Sequence, residues 1–138
     1  LAISMLGNKI QGVYGNAYTF INYKLDALRD YRYSIVIENE KSDYWFTEKL
    51  IDCFATGTVP IYYGCPSIGK FFDADGVLCF NSMDELKYIL SDVVSQNDYN
   101  NRLKAINSNF DEAKKYSIPE DWIYEKYLKK IGINGTGY

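Results

Sequence analysis

Two short apolar runs that favour extended structure, separated by one helical pattern, most constrain the fold of this chain. Tyr33–Ile37 and Val59–Tyr63 are rich in β-branched and aromatic side chains, which is typical of buried strands. Between them Thr47 can cap a helix over Glu48–Ala55, and Gly57 can end it. Parallel strands need a crossover connection of this kind. The pattern therefore predicts neighbouring strands of a parallel sheet.

The rest of the chain continues the alternation of strands and helices. The further predicted elements are strands over residues 10–14 and 77–80, and helices over residues 1–6, 24–30, 83–94, 97–115 and from Pro119 onward. The helix over residues 83–94 is strongly amphipathic, and the one over residues 97–115 is expected to be mostly solvated. Since no internal repeat or low-complexity linker interrupts this order, we expect one α/β domain with helices on both faces of a parallel sheet.

Composition excludes several classes of site. The chain contains no histidine, so a histidine base and a histidine-ligated zinc are both absent. The formal net charge of −3 argues against a uniformly basic surface for nucleic acid. Cys53, Cys65 and Cys79 form no CxxC pair, and we interpret them as buried small apolar residues in a reducing compartment. No stretch of the sequence approaches the ~18 apolar residues of a membrane span.

The loop that precedes Thr47 has the clearest features of a ligand site. Ligands of open α/β sheets bind beyond the carboxyl ends of the strands, which is where this loop is expected to lie. Lys49 in the first helical turn opposes the usual preference for acids there, and a nearby phosphate would satisfy both the lysine and the backbone N–H groups. Glu48 could accept two hydrogen bonds from a ribose diol, and Tyr44 and Trp45 could lay an aromatic face against a base or sugar.

The same residues also permit a purely structural interpretation. Glu48 and Lys49 could form a solvated helix face while Trp45 packs into the core. Neither GxGxxG nor the P-loop pattern occurs. The DxD triplet Asp73-Ala74-Asp75 precedes a short strand and is interpreted as a turn, not as a metal site. From the residues alone, the nucleotide-phosphate site and the solvated helix face both stay open.

Three segments in a fixed order carry a family resemblance. They are the E-N pair that ends the first strand, the T-E-K-L run that begins at Thr47, and the GTVPIYYG strand that follows. Together with the ten-residue step from Asn39 to Lys49, they resemble the donor-site signature in the C-terminal half of the family-10 α-1,3/1,4-fucosyltransferases. The resemblance implies a Rossmann-like parallel sheet flanked by helices, as in the C-terminal half of a two-domain GT-B glycosyltransferase.

The resemblance also implies an activity and a set of donor-binding residues. The family transfers fucose from GDP-fucose, with inversion, to a glycan hydroxyl. Lys49 would contact the diphosphate and stabilise the leaving GDP, while Glu48 and Asn39 would hold the ribose and its surrounding loop. The family usually has tyrosine four positions before the lysine, where this chain has Trp45, so a phenolic hydroxyl would have to come from Tyr44. No metal and no cofactor apart from the donor substrate GDP-fucose is implied.

Two parts of the family's site would lie outside this chain. Its phosphate-binding arginine would precede Leu1, and its catalytic base belongs to an N-terminal acceptor domain. We therefore expect residues 1–138 to form a single donor-binding domain that is inactive alone and meets its glycan acceptor through the missing domain. The expected location is cytoplasmic or peripheral to a membrane, in a microbial or viral system.

Two alternative functions stay open beside the fucosyltransferase prediction. One is a non-catalytic interaction module that keeps the fold, and the other is a transferase that uses another nucleotide sugar.

Overall fold

A computed structural model describes residues 28–116 of the chain. Its strands form a parallel sheet in the order β1-β2-β3, with β1 at Tyr33–Ile37, β2 at Val59–Tyr63 and β3 at Leu78–Cys79. Its α-helices are α1 (Glu48–Ala55), α2 (Met83–Tyr88), α3 (Gln96–Asn101) and α4 (Leu103–Ala113). The helices predicted over residues 1–6 and from Pro119, and the strand over residues 10–14, lie outside the described residues. Of the helix predicted over residues 24–30, only residues 28–30 are described, and they form a turn.

The register of the sheet sets where a ligand could approach. Tyr33 pairs with Val59 and Ile37 with Tyr63, so the carboxyl ends of β1 and β2 lie level with each other. The backbone pairing continues one step further, because Glu38 N–H donates to the carbonyl of Tyr63. The loops after β1 and β2 therefore leave the sheet at the same edge.

Each face of the sheet is covered by helices. On one face Val36 and Tyr62 join a core with α1 and the end of α4, whose buried members include Leu50, Ile51, Cys53, Phe54 and Ala113. On the other face Ile61 packs with the helical segment that follows β3, through Phe80, Leu86 and Ile89. Because successive side chains of a strand point into cores on opposite faces, the sequence of each strand is a nearly continuous apolar run. The predicted fold class, a parallel α/β sheet flanked by helices, is confirmed.

Helix α1 begins and ends as the sequence predicts. The Thr47 hydroxyl accepts a hydrogen bond from Lys49 N–H, and Leu50, Ile51 and Phe54 form the buried side. After the helix, Gly57 adopts a φ of +70°, a conformation that strains residues with a side chain. The cap, the periodicity and the glycine therefore predict the bounds of this helix from local signals.

The C-terminal helices differ from the prediction. The helix expected over residues 97–115 is broken at Arg102, where ψ falls to −2° and the guanidinium bridges the Asp98 carboxylate and the Asp75 carbonyl. The expectation of a mostly solvated helix is wrong for α4, because it buries Ala105, Ile106, Asn109 and Ala113. The amphipathic helix over residues 83–94 is present as α2 followed by a wider π-helical turn at Ile89–Val93.

Two interpretations of small motifs can be compared with the structure. Asp73 caps the 3-10 helix Ala74–Gly76 by accepting from Asp75 N–H, which confirms the turn interpretation of the DxD triplet. Cys53 and Cys65 are buried as expected, but Cys79 is exposed, so the interpretation is wrong for that residue. Cys79 belongs to β3, a two-residue strand that, among residues 28–116, pairs with β2 alone and so lies at the edge of the described sheet.

Candidate functional site

The centre of the carboxyl edge is a buried carboxylate, that of Glu38. This residue follows β1 directly and is only 3% exposed. Its Oε1 accepts from Thr47 N–H at 2.9 Å, and its Oε2 accepts from the Thr47 hydroxyl at 2.7 Å. The Tyr62 hydroxyl lies 3.4 Å from Oε1. A carboxylate with this burial needs such donors, since an unpaired buried charge is strongly unfavourable.

Lys49 lies in the first turn of α1, beside this carboxylate. Its Nζ is 3.6 Å from Glu38 Oε2 and 3.5 Å from Thr47 Oγ1, and 36% of its side chain is exposed. The ammonium is therefore held at the helix N-terminus and also reaches solvent. This places a cation where the helix dipole already favours anions.

Tyr62 and Gly64 close the buried side of this group. The Tyr62 hydroxyl also accepts a hydrogen bond from Cys65 N–H at 3.1 Å. Burial raises the pKa of Tyr62 to about 12, and the nearby charge of Glu38 acts in the same direction, so the hydroxyl stays protonated at neutral pH. A Cβ at position 64 would lie 2.6 Å from Glu38 Cγ, closer than real Cβ atoms approach. Glycine at position 64 therefore leaves the space that the carboxylate occupies.

Trp45 and Glu48 lie on a different side of the helix start. Both line a hollow of about 410 Å³, together with Phe46, Thr47, Ile51, Asp52 and Tyr116. Trp45 is 59% exposed, so the alternative in which it packs into the core is wrong. The hollow thus combines an aromatic face with a carboxylate, although Lys49 is not among its lining residues.

Tyr44 faces the loop after β2. Its φ of 62° is in the left-handed region, which is uncommon for a residue with a side chain. Its N–H donates to Ser67 Oγ at 2.9 Å, and its hydroxyl accepts from Lys70 Nζ at 2.6 Å. The phenolic hydroxyl that the sequence offers next to Trp45 is therefore engaged with a lysine that sequence reasoning did not identify.

A second, smaller hollow lies at the ends of β2 and β3. Its volume is about 170 Å³, and it is lined by Lys41, Tyr62, Gly64, Cys65, Pro66, Cys79, Phe80 and Asn81. Lys41 donates to Asn81 Oδ1 at 2.5 Å and lies 5.5 Å from the centroid of the Tyr63 ring. This contact ties the loop after β1 to the loop after β3.

The structure thus separates the predicted donor-binding residues into groups. Trp45 and Glu48 share the larger hollow, Lys49 joins Glu38, and Tyr44 joins Lys70. Asn39 is exposed in the loop after β1. Sequence reasoning used Glu38 only as part of a family motif, although its signal was present as an acid placed directly after a buried strand.

Within residues 28–116, no group of three or more cysteine, aspartate or glutamate side chains is arranged to hold a metal ion. The same residues contain no helix with the length and apolar character that crossing a membrane requires.

Comparison with known proteins shows sequence similarity to fucosyltransferases. The chain is 33% identical over 76 residues to an alpha-(1,3)-fucosyltransferase of Helicobacter pylori, which covers 50% of this chain and 16% of that protein. It is 32% identical over 80 residues to an alpha-(1,4)-fucosyltransferase of Arabidopsis thaliana, which covers 53% of this chain and 20% of that protein. The chain therefore spans only a small part of the length of these relatives. No protein-family model matches it.

Solved structures of α1,3-fucosyltransferase share the fold. The structure with GDP matches with a TM-score of 0.51 and 24% identity, over 69% of this chain and 34% of the other. The structure with GDP-fucose matches with the same score and identity, over 73% of this chain and 37% of the other. The resemblance predicted from the sequence is thus confirmed: over about half of its length the chain is similar to α-1,3/1,4-fucosyltransferases, and it shares the α/β fold of their GT-B structures.

Proposed function

We propose that this chain is the donor-binding domain of an inverting fucosyltransferase that takes fucose from GDP-fucose. The sequence similarity and the shared fold support the enzyme class. The observation that carries the proposal is the position of Lys49, whose ammonium is held at the N-terminus of α1 and still reaches solvent. In this proposal the diphosphate of the donor binds there.

The chemistry follows from where charge develops. As the bond between fucose and the diphosphate breaks, the leaving GDP gains negative charge while the sugar becomes oxocarbenium-like. The Lys49 ammonium and the partial positive charge of the helix N-terminus stabilise that charge, which lowers the barrier. No residue of this chain is proposed as the acid or the base of the reaction.

The remaining donor contacts are assigned by chemistry and place. Glu48 accepts hydrogen bonds from the ribose diol, and Trp45 provides an apolar face for the base or the sugar in the same hollow. Tyr44 contributes its hydroxyl only together with Lys70, which donates to it. Asn39, exposed in the loop after β1, holds the ribose side of the site. The glycan acceptor binds through an N-terminal domain outside this chain, and residues 1–138 act as one domain.

Binding of GDP tests the proposal directly. Wild-type protein and Lys49→Ala are titrated with GDP by calorimetry, using the full-length protein. Loss of one charge-assisted contact to a phosphate is expected to raise the dissociation constant about tenfold to a hundredfold. Lys87→Ala is the matched control, because Lys87 is a lysine on the remote helix α2 whose Nζ lies 4.0 Å from Asp84.

Each other outcome has a definite meaning. Equal GDP binding by wild type and Lys49→Ala would contradict the role of Lys49. No response to GDP, UDP or CDP would favour a non-catalytic interaction module with the same fold. Tighter binding of UDP or CDP than of GDP would keep the enzyme class and change the donor.

A further inference from the structure

We propose that Glu38 is a positioning residue that holds Lys49 ready for the diphosphate. The inference rests on the proposed function and assigns a role to a residue outside the predicted donor-binding set. Glu38 does not need to touch the donor, because it acts through Thr47 and Lys49.

The first step of the argument is the cost of burying this carboxylate. The Glu38 side chain is 1% exposed, although a glutamate directly after a strand could turn into solvent. Burial of an ionised carboxylate is unfavourable unless donors surround it. Thr47 supplies two donors, its N–H at 2.9 Å and its hydroxyl at 2.7 Å. Glu38 therefore fixes Thr47, the residue that begins α1.

The second step concerns the single proton of the Thr47 hydroxyl. This proton is donated to Glu38 Oε2, so the lone pairs of the hydroxyl oxygen are left to accept. Lys49 donates to this oxygen from two groups, its backbone N–H at an N–O distance of 3.4 Å and its ammonium at 3.5 Å. The carboxylate thus orients the hydroxyl, and the hydroxyl orients the lysine at the helix N-terminus.

The third step is the confinement of Glu38 itself. The Tyr62 hydroxyl lies 3.4 Å from its Oε1, and a Cβ at position 64 would come within 2.6 Å of its Cγ. The side chain is therefore held between β2 and the start of α1. Only a carboxylate can accept from both Thr47 donors with two separate oxygens, since an amide would present an NH2 group to one of them.

A double-mutant cycle separates positioning from mere support of the fold. GDP binding is measured for wild type, Glu38→Gln, Lys49→Ala and the double variant, in full-length protein. If Glu38 acts through Lys49, Glu38→Gln weakens GDP binding about tenfold alone and less than twofold when Lys49 is already alanine. Equal losses in both backgrounds, no loss, or tighter binding by Glu38→Gln would each overturn the proposal.

The matched control is Glu40→Gln, which removes the same charge from an exposed position in the same loop. We expect no change in its GDP binding. Thr47→Val provides a second route if Glu38→Gln fails to fold, because it removes the hydroxyl and keeps the branched shape. It is expected to show the same dependence on Lys49, and an equal loss in both backgrounds would again overturn the proposal.

A measurement without nucleotide keeps this inference distinct from the proposed function. The mobility of the Lys49 ε-methylene group is measured by NMR relaxation in free protein, with exposed Lys104 as the reference. We expect Lys49 to be more ordered than Lys104 in wild type and as mobile as Lys104 in Glu38→Gln. Unchanged order would refute the positioning role even if GDP binds, and lost order would support it even if GDP does not.

Discussion

Two carboxylates lie at opposite ends of the sheet, and each is placed between a tyrosine hydroxyl and a cation. At the amino end of β1, Asp98 accepts from the Tyr33 hydroxyl at 2.7 Å and from Arg102 Nε and Nη2 at 2.9 Å each. At the carboxyl end, Glu38 accepts from Thr47 and has the Lys49 ammonium 3.6 Å away. The composition of the two groups is similar, but their geometry differs.

The difference lies in how the cation is bound. The planar guanidinium of Arg102 meets both oxygens of Asp98, and this pairing lowers the pKa of that carboxyl. The Lys49 ammonium lies 3.5 Å from Thr47 Oγ1 and 3.6 Å from Glu38 Oε2, farther than the 2.9 Å that separates Arg102 from Asp98. The Asp98 group therefore suits stability, while the Glu38 group holds a cation that can accept a closer anionic partner.

The largest expected effect comes from a substitution in the Asp98 group, which consists of Asp98, Arg102 and Tyr33. Asp98→Ala removes the charged partner of Arg102 and one of the two acceptors of the Tyr33 hydroxyl, a contact that joins α3 to β1. We expect the free energy of unfolding to fall by about 3 kcal/mol, because the guanidinium loses a bidentate, charge-assisted partner. Urea denaturation measures this loss, and GDP affinity should not change below the transition. A large loss of GDP affinity in folded Asp98→Ala would contradict the separation of the two groups.

A smaller effect is expected when an added Cβ atom at position 64 displaces the Glu38 group, which consists of Glu38, Thr47, Lys49 and Tyr62. Gly64→Ala places a Cβ against Glu38 and Tyr62, so the carboxylate must shift. We expect a loss of about 2 kcal/mol in stability from overpacking and, in addition, weaker GDP binding. Gly69→Ala is the control, since its Cβ would meet Ala74 at an ordinary 3.6 Å. Loss of stability with unchanged GDP affinity would mean that Glu38 can move without effect on Lys49.

The smallest effect concerns the tyrosine of the Glu38 group. Tyr62→Phe removes one long hydrogen bond to Glu38 and the acceptor of Cys65 N–H, with an expected cost of about 1 kcal/mol at pH 7. Burial raises the pKa of Tyr62 from 10.0 to about 12, so its contribution is fully present below pH 10 and is lost as pH rises through 12. Wild type should therefore lose stability more steeply over this range than Tyr62→Phe. Identical slopes in denaturation at pH 9 to 12 would contradict the assignment.

Local sequence signals predicted the frame of the site. Tyr33–Ile37, Glu48–Ala55 and Val59–Tyr63 have the predicted bounds, because side-chain periodicity, the Thr47 cap and the glycine after the helix act within a few residues. The break at Arg102 was not predicted, since its guanidinium bonds to Asp75, which is 27 positions away. Side-chain periodicity alone does not predict a helix break that accompanies a contact with a distant residue.

The sequence by itself determined that a cation would lie in the first turn of a helix that follows a buried strand, because capping and strand patterns are local. Only the tertiary structure decided what surrounds that cation. Glu38 reaches Thr47 nine positions away at the start of α1, and it reaches the Tyr62 hydroxyl 24 positions away because parallel pairing brings the ends of β1 and β2 level. The sequence shows an acid directly after a buried strand, but the burial of its carboxylate depends on that meeting of distant segments.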